Sequence, residues 1–170
     1  MKTIKAGVIG ATGYAGLELV RLLLAHPHAE VTAVSSVSYA GQAVSDVYPQ
    51  LTGLCDLTLT DDGGVIDACD VVFTSMPAGH AEPLARRCFD AGKLMIDLGA
   101  DFRLENEADY RRWYGGQYAD PALHEQAVYC IPELHRTRAR GAKLIANPGC
   151  YVTSACLGLA PAVSSGAVDP

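Results

Sequence analysis

One stretch near the start of the chain limits its fold more than any other: a strand-like run that breaks into evenly spaced glycines and then becomes helical. Ile4-Lys5-Ala6-Gly7-Val8-Ile9 is short and apolar, Gly10-Ala11-Thr12-Gly13-Tyr14-Ala15-Gly16 follows, and Leu17 to Leu24 is leucine-rich. Glycines at 10, 13 and 16 allow a tight turn, close approach of the backbone to a pyrophosphate, and close packing of helix on strand. The unpaired N–H groups of the helix start then face the phosphates. The spacing, Gly-x-x-Gly-x-x-Gly, is a variant of the dinucleotide fingerprint. Cofactor contacts are expected from Gly10, Thr12, Gly13, Tyr14, Ala15 and Gly16.

The rest of the chain alternates strands with helices, the order that builds a parallel sheet with right-handed crossovers. Strands are predicted at Glu30 to Val34, Asp70 to Thr74, Lys93 to Leu98, Ala127 to Ile131 and Lys143 to Ala146, with a helix from about Ala78 to Ala91 that Gly92 ends. The fold class is α/β: a Rossmann-like, doubly wound, mostly parallel sheet. Residues 39–62, ahead of a short strand, and residues 101–126 interrupt the alternation and are expected to be loop excursions. Ligands of such sheets sit beyond the carboxyl ends of the strands.

On that rim the sequence delivers Asn147-Pro148-Gly149-Cys150, directly before the helical run from Tyr151 to Leu157. A helix start offers unpaired N–H groups and the positive end of a dipole, which favour a thiolate. Cys150 is therefore the candidate nucleophile among six cysteines, at 55, 69, 88, 130, 150 and 156. None form a Cys-x-x-Cys pair, so neither metal binding nor a disulfide framework is indicated. Dinucleotide type should be decided after the second strand, where Ser35-Ser36-Val37-Ser38 carries no acid. A carboxylate there would bind the ribose 2′-hydroxyl of NAD, whereas serine hydroxyls can donate to a 2′-phosphate, which favours NADP(H).

A net charge of −6 without a basic run argues against nucleic acid. No apolar stretch approaches a membrane span and no signal-peptide pattern opens the chain, so a cytoplasmic location is expected.

Taken in order, the Gly10 to Gly16 loop, Ser35-Ser36 with Tyr39-Ala40-Gly41, Asp97-Leu98-Gly99-Ala100-Asp101-Phe102-Arg103, Tyr129 to Leu134 and Ala146 to Tyr151 resemble the N-acetyl-gamma-glutamyl-phosphate reductases of arginine biosynthesis. Val152 departs from a family proline and Cys130 from a common glycine. The resemblance implies NADPH-dependent reduction of an acyl phosphate to a semialdehyde, with phosphate release, through a thioester on Cys150. It implies substrate contacts from Arg103 and Asn147, and a division into a cofactor domain at 1–148 and the start of a substrate domain at 149–170. The family's general acid/base histidine would fall beyond Pro170, and the whole enzyme would be a homo-oligomer. Enzymes acting on aspartyl phosphate or carrier-linked amino-adipyl phosphate share this chemistry, and a non-catalytic nucleotide-binding module would share only the glycine loop.

Overall fold

The computed structural model describes residues 3–169. Seven strands form one sheet, parallel throughout: β1 (Ile4–Ile9), β2 (Ala29–Ser35), β3 (Leu59–Thr60), β4 (Val71–Thr74), β5 (Leu94–Asp97), β6 (Ala127–Tyr129) and β7 (Leu144–Ala146), in the spatial order β3-β2-β1-β4-β5-β7-β6. The winding reverses between β1 and β4, which opens a crevice at their carboxyl ends.

Strand alternation sends side chains into two cores. Along β1, Ala6 and Val8 join Val20 and Leu23 of α1 (Tyr14–Leu24), together with Val31, Val34 and Leu59. Ile9, on the opposite face, packs with Val65 and Ile66 of α3 (Asp62–Ala68) and Leu84 and Cys88 of α4 (Ala81–Asp90). Helix α2 (Val44–Val47) and a short 3-10 turn at Pro49–Leu51 close the first core through Val44 and Leu51.

The predicted strands all form, with β6 ending at Tyr129. Gly92 stops α4 as expected: its φ is +68° and its N–H reaches Phe89 O. The helix begins only at Ala81, because Gly79 lies at φ +90° and the side chain of Asp101 caps its first turn, accepting from Gly79 N at 2.6 Å and Ala81 N at 2.7 Å. The expected loop at 101–126 contains α5 (Glu107–Tyr114) and α6 (Pro121–Gln126), capped by Asn106 and Asp120. Helix α7 (Pro132–Ala139) was likewise not predicted. All three are short, with one, two and no buried residues respectively, so little apolar periodicity marks them.

Helices α5 and α6 are tied to α4 by a buried polar cluster. Glu82 Oε2 accepts from Ala119 N and Asp120 N, and its Oε1 lies 2.9 Å from His124 Nε2. The His124 ring stacks on Tyr118 with centroids 3.4 Å apart. His124 is thus a structural residue of the core. A hollow of about 460 Å³ beside it, lined by Glu105, Tyr118 and Glu125 among others, shares no residue with the glycine loop or the cysteine turn. Among the described residues no helix is long and apolar enough to cross a membrane.

Candidate active site

The site is built on one row of the sheet. Ile9, Thr74, Asp97 and Ala146, the last residues of β1, β4, β5 and β7, are direct register partners. The row is extended by one more set of bonds, Ser75 N to Ile9 O, Leu98 N to Thr74 O and Asn147 N to Asp97 O, each 2.8–2.9 Å. Gly10 and Asn147 therefore leave the sheet at one level, three strand spacings or about 14 Å apart. The turns that carry the glycine loop and Cys150 face the same space.

Each glycine of the loop has its own physical reason. Gly10 adopts φ +79°, and a Cβ on it would stand 2.5 Å from Ser75 O. Gly16 is buried against the turn that follows β1, where a Cβ would stand 2.1 Å from Gly10 O. Gly13 is different: its Cβ would meet only Gly10 O, at 3.5 Å, so the fold itself leaves room for a side chain there. What a side chain at Gly13 would obstruct is the approach of a ligand to the N-terminus of α1. That terminus has no side-chain cap and no acid in its first turn. Its free N–H groups, at Tyr14, Ala15 and Gly16, suit a phosphate. The Tyr14 side chain is 99% exposed and contributes no packing.

A cleft of about 190 Å³ runs from this loop past Ser35, Ser36 and Ser38 to Ser75 and Met76. Thr12 Oγ1 and Ser36 Oγ are 2.6 Å apart and tie the loop to the end of β2. Tyr48 adds a clamp that sequence reasoning missed, its hydroxyl donating to Thr12 O from the far side of the 39–62 excursion. Asp62 is a second missed residue: it lines the cleft and accepts from Ser35 Oγ at 2.6 Å. The residues of the cleft fit a dinucleotide, with an uncapped helix start for the pyrophosphate and hydroxyl groups for the ribose.

At the other turn, Cys150 is the first residue of α8 (Cys150–Ser164), with Gly149 as an N-cap lacking a side chain and no acid in the first turn. The thiol is exposed. Arg103 braces the turn: Nε donates to Asn147 O at 3.0 Å and Nη2 to Leu98 O at 2.7 Å, while Nη1 lies 3.0 Å from where a Gly149 Cβ would stand. The side chain of Asn147 bonds locally, Nδ2 to Pro148 O at 3.0 Å. Asp101 is occupied by α4 and by Tyr110 Oη, and the recorded partners of Arg103 are carbonyl oxygens.

The six thiols should differ sharply in reactivity. Cys55, Cys69, Cys88 and Cys130 are buried, and Cys156 is partly so. Burial pushes the Cys69 thiol up and that of Cys88 to about 11, which keeps both protonated at neutral pH. Limited alkylation with mass-spectrometric mapping is expected to label Cys150 first. Faster labelling of a buried cysteine in the folded protein would contradict this placement.

Asp97 lies fully buried under the cysteine turn. Thr74 Oγ1 and Gly99 N donate to its Oδ1, and its Oδ2 has no partner. Desolvation outweighs these bonds and raises its pKa above the ordinary 3.8. The folded state therefore holds this proton more tightly than the unfolded chain. The resulting stability is full below 3.8 and is lost as pH rises through the raised value. Asp97→Asn should remove that dependence. Denaturant unfolding at about pH 4 and about pH 8 should show the wild type losing stability relative to the variant as pH rises. An unchanged difference would show that burial does not raise the Asp97 pKa.

Residues 5–142 match the family model described as "Semialdehyde dehydrogenase, NAD binding domain". Over 98% of its length the chain is 52% identical to N-acetyl-gamma-glutamyl-phosphate reductase of Moorella thermoacetica, of which it covers 49%, and 46% identical to that of Clostridium botulinum, of which it covers 48%. The chain spans about half the length of these relatives. Among solved structures it is similar to aspartate semialdehyde dehydrogenase with NADP from Candida albicans, with a TM-score of 0.66 and 22% identity over 96% of this chain and 48% of that one. A Vibrio cholerae aspartate semialdehyde dehydrogenase II gives a TM-score of 0.69 at 16% identity, over 96% of this chain and 47% of that one. With the glycine loop, the strand order and the matched span in agreement, the chain belongs to the semialdehyde dehydrogenase NAD-binding domain family.

Proposed function

We propose that this chain is the cofactor-binding and nucleophile-bearing part of an N-acetyl-gamma-glutamyl-phosphate reductase. The enzyme reduces N-acetyl-glutamyl 5-phosphate to N-acetyl-glutamate 5-semialdehyde, with release of phosphate. The observation that carries this reading is the exposed Cys150 at the uncapped start of α8, on the same strand-end row as a glycine loop whose Gly13 leaves ligand space.

The Cys150 thiolate attacks the acyl carbon, a C–S bond forms, and the bond from that carbon to the phosphate oxygen breaks. Bound NADPH supplies the hydride to the thioester carbon. Collapse of the resulting thiohemiacetal returns the thiolate and frees the aldehyde. N–H groups at the start of α8 stabilise the oxyanion, and Arg103 fixes the turn that presents them, its Nη1 lying beside Gly149. On this reading that nitrogen contacts the substrate. Asn147 shapes the same turn. Gly10, Thr12, Gly13, Tyr14, Ala15, Gly16, Ser35 and Ser36 form the nucleotide side, which takes NADP(H). Residues 1–148 are the cofactor domain, and residues 149–170 begin the substrate domain. Helix α8 supports that division: it has no charged residue and buries none of its residues, so its apolar sides need a further surface to cover them. On this reading the whole enzyme works in the cytoplasm as a homo-oligomer.

The test is a phosphate-dependent assay of the full-length enzyme in the reverse direction with a panel of semialdehydes. N-acetyl-glutamate semialdehyde should be oxidised with NADP in preference to aspartate semialdehyde. Preference for the latter would reassign the substrate while leaving the chemistry intact.

A further inference from the structure

The acid missing from the end of β2 arrives from another element. Ser35 and Ser36, at 1% and 5% exposure, close β2 beneath the nucleotide cleft. A serine hydroxyl has one proton to donate. Ser35 commits its proton to Asp62 Oδ1 at 2.6 Å, which leaves only lone pairs for anything bound above it. The Ser36 hydroxyl is shared with Thr12. Asp62 lines the cleft at the glycine loop and also the adjoining hollow of about 160 Å³ formed with Val37, Ala40 and Thr60. The neighbouring Asp61 is engaged as the cap of α3, accepting from Gly64 N at 2.8 Å. Among the described residues no lysine or arginine lines either space, and Arg87, which reaches α3 beside Gly63, lines neither.

We propose that Asp62 is the specificity-determining residue of the nucleotide site. It accepts from a ribose 2′-hydroxyl, withholds the Ser35 proton from a 2′-phosphate, and so narrows the advantage of NADPH over NADH. This rests on the dinucleotide reading of the cleft. A 2′-phosphate meets serine hydroxyls and a carboxylate together, with no cation among the described lining residues to offset the charge. The wild-type enzyme therefore prefers NADPH over NADH by a smaller ratio than variants that lack the Asp62 carboxylate.

The test is titration of the full-length protein with NADPH and with NADH, by calorimetry, for the wild type, Asp62→Asn, Asp62→Ser and Ser35→Ala. Both Asp62 variants should raise the ratio of the NADH to the NADPH dissociation constant by about tenfold, through tighter NADPH and weaker NADH binding. Ser35→Ala keeps the carboxylate and should not raise the ratio. If both Asp62 variants change the two affinities by the same factor, or change neither, Asp62 is only a structural partner of Ser35 and the proposal is overturned. A wild-type protein that binds neither nucleotide would instead overturn the reading on which the proposal rests.

Discussion

Cys150→Ser in the full-length enzyme is expected to lower turnover by roughly 10⁴-fold while leaving nucleotide affinity and thermal stability close to wild type. The stability expectation follows from position: Cys150 is exposed and belongs to neither core cluster. The catalytic expectation follows from chemistry. A hydroxyl at the same helix start has a far higher pKa than a thiol and is not ionised there, and no other cysteine can substitute. Cys156 is the next most accessible, yet it sits six residues on within α8, away from the helix start. Rates in both directions, with nucleotide affinity measured separately, check this. Retention of more than about a tenth of wild-type turnover would move the nucleophile elsewhere.

The second large effect divides the glycine loop in two. Gly13→Val should fold with little change in melting temperature but bind dinucleotide about 100-fold more weakly, a loss of about 2.7 kcal/mol. The space around Gly13 is open in the protein and closed only to the ligand. Gly16→Val should do the reverse and attack the fold, because its first side-chain atom would stand 2.1 Å from Gly10 O. Backbone atoms cannot yield as a flexible side chain would. Overpacking there should cost about 3 kcal/mol or more, about 6–12 °C in melting temperature for a domain of this size. Thermal unfolding and calorimetry on both variants separate the two roles. Equal loss of stability in both would show that Gly13 is a packing glycine and not a ligand-facing one.

This contrast also shows which features could be read from the chain and which could not. The glycine loop and the turn before Cys150 are local: consecutive residues carry the strand, the punctuation and the helix, so spacing alone locates them. The parallel sheet was legible for the same reason, because short apolar strands such as Val71–Thr74 stand apart from their surroundings. Helix α3 was hidden by Gly63 and Gly64, which weaken any helical pattern, although Asp61 was a capping signal in plain view. Likewise Asn106 before α5, and Asp120 with Pro121 before α6, were start signals outweighed by polar composition.

Contacts across long sequence separations were not legible. Asp62 meets Ser35 across 27 residues, Tyr48 reaches Thr12 across 36, and Arg103 reaches Asn147 across 44. Each depends on the sheet order, which brings loops together at one rim. The expectation for Arg103 was a substrate contact, and the long-range bonds that two of its nitrogens make to carbonyls shaping the cysteine turn had no local signal. His124 shows the converse: a histidine without a motif proved to be bound into the Glu82 cluster.

The central claim, covalent catalysis from Cys150 on an acyl phosphate, is tested most directly by trapping the intermediate. Full-length enzyme mixed with N-acetyl-glutamyl 5-phosphate in the absence of nucleotide should release one phosphate per active site. Intact-mass analysis should show one added N-acetyl-glutamyl group, and peptide mapping should place it on Cys150. Addition of NADPH should discharge the adduct as semialdehyde. Phosphate release without an adduct, or an adduct on any other residue, would contradict the account.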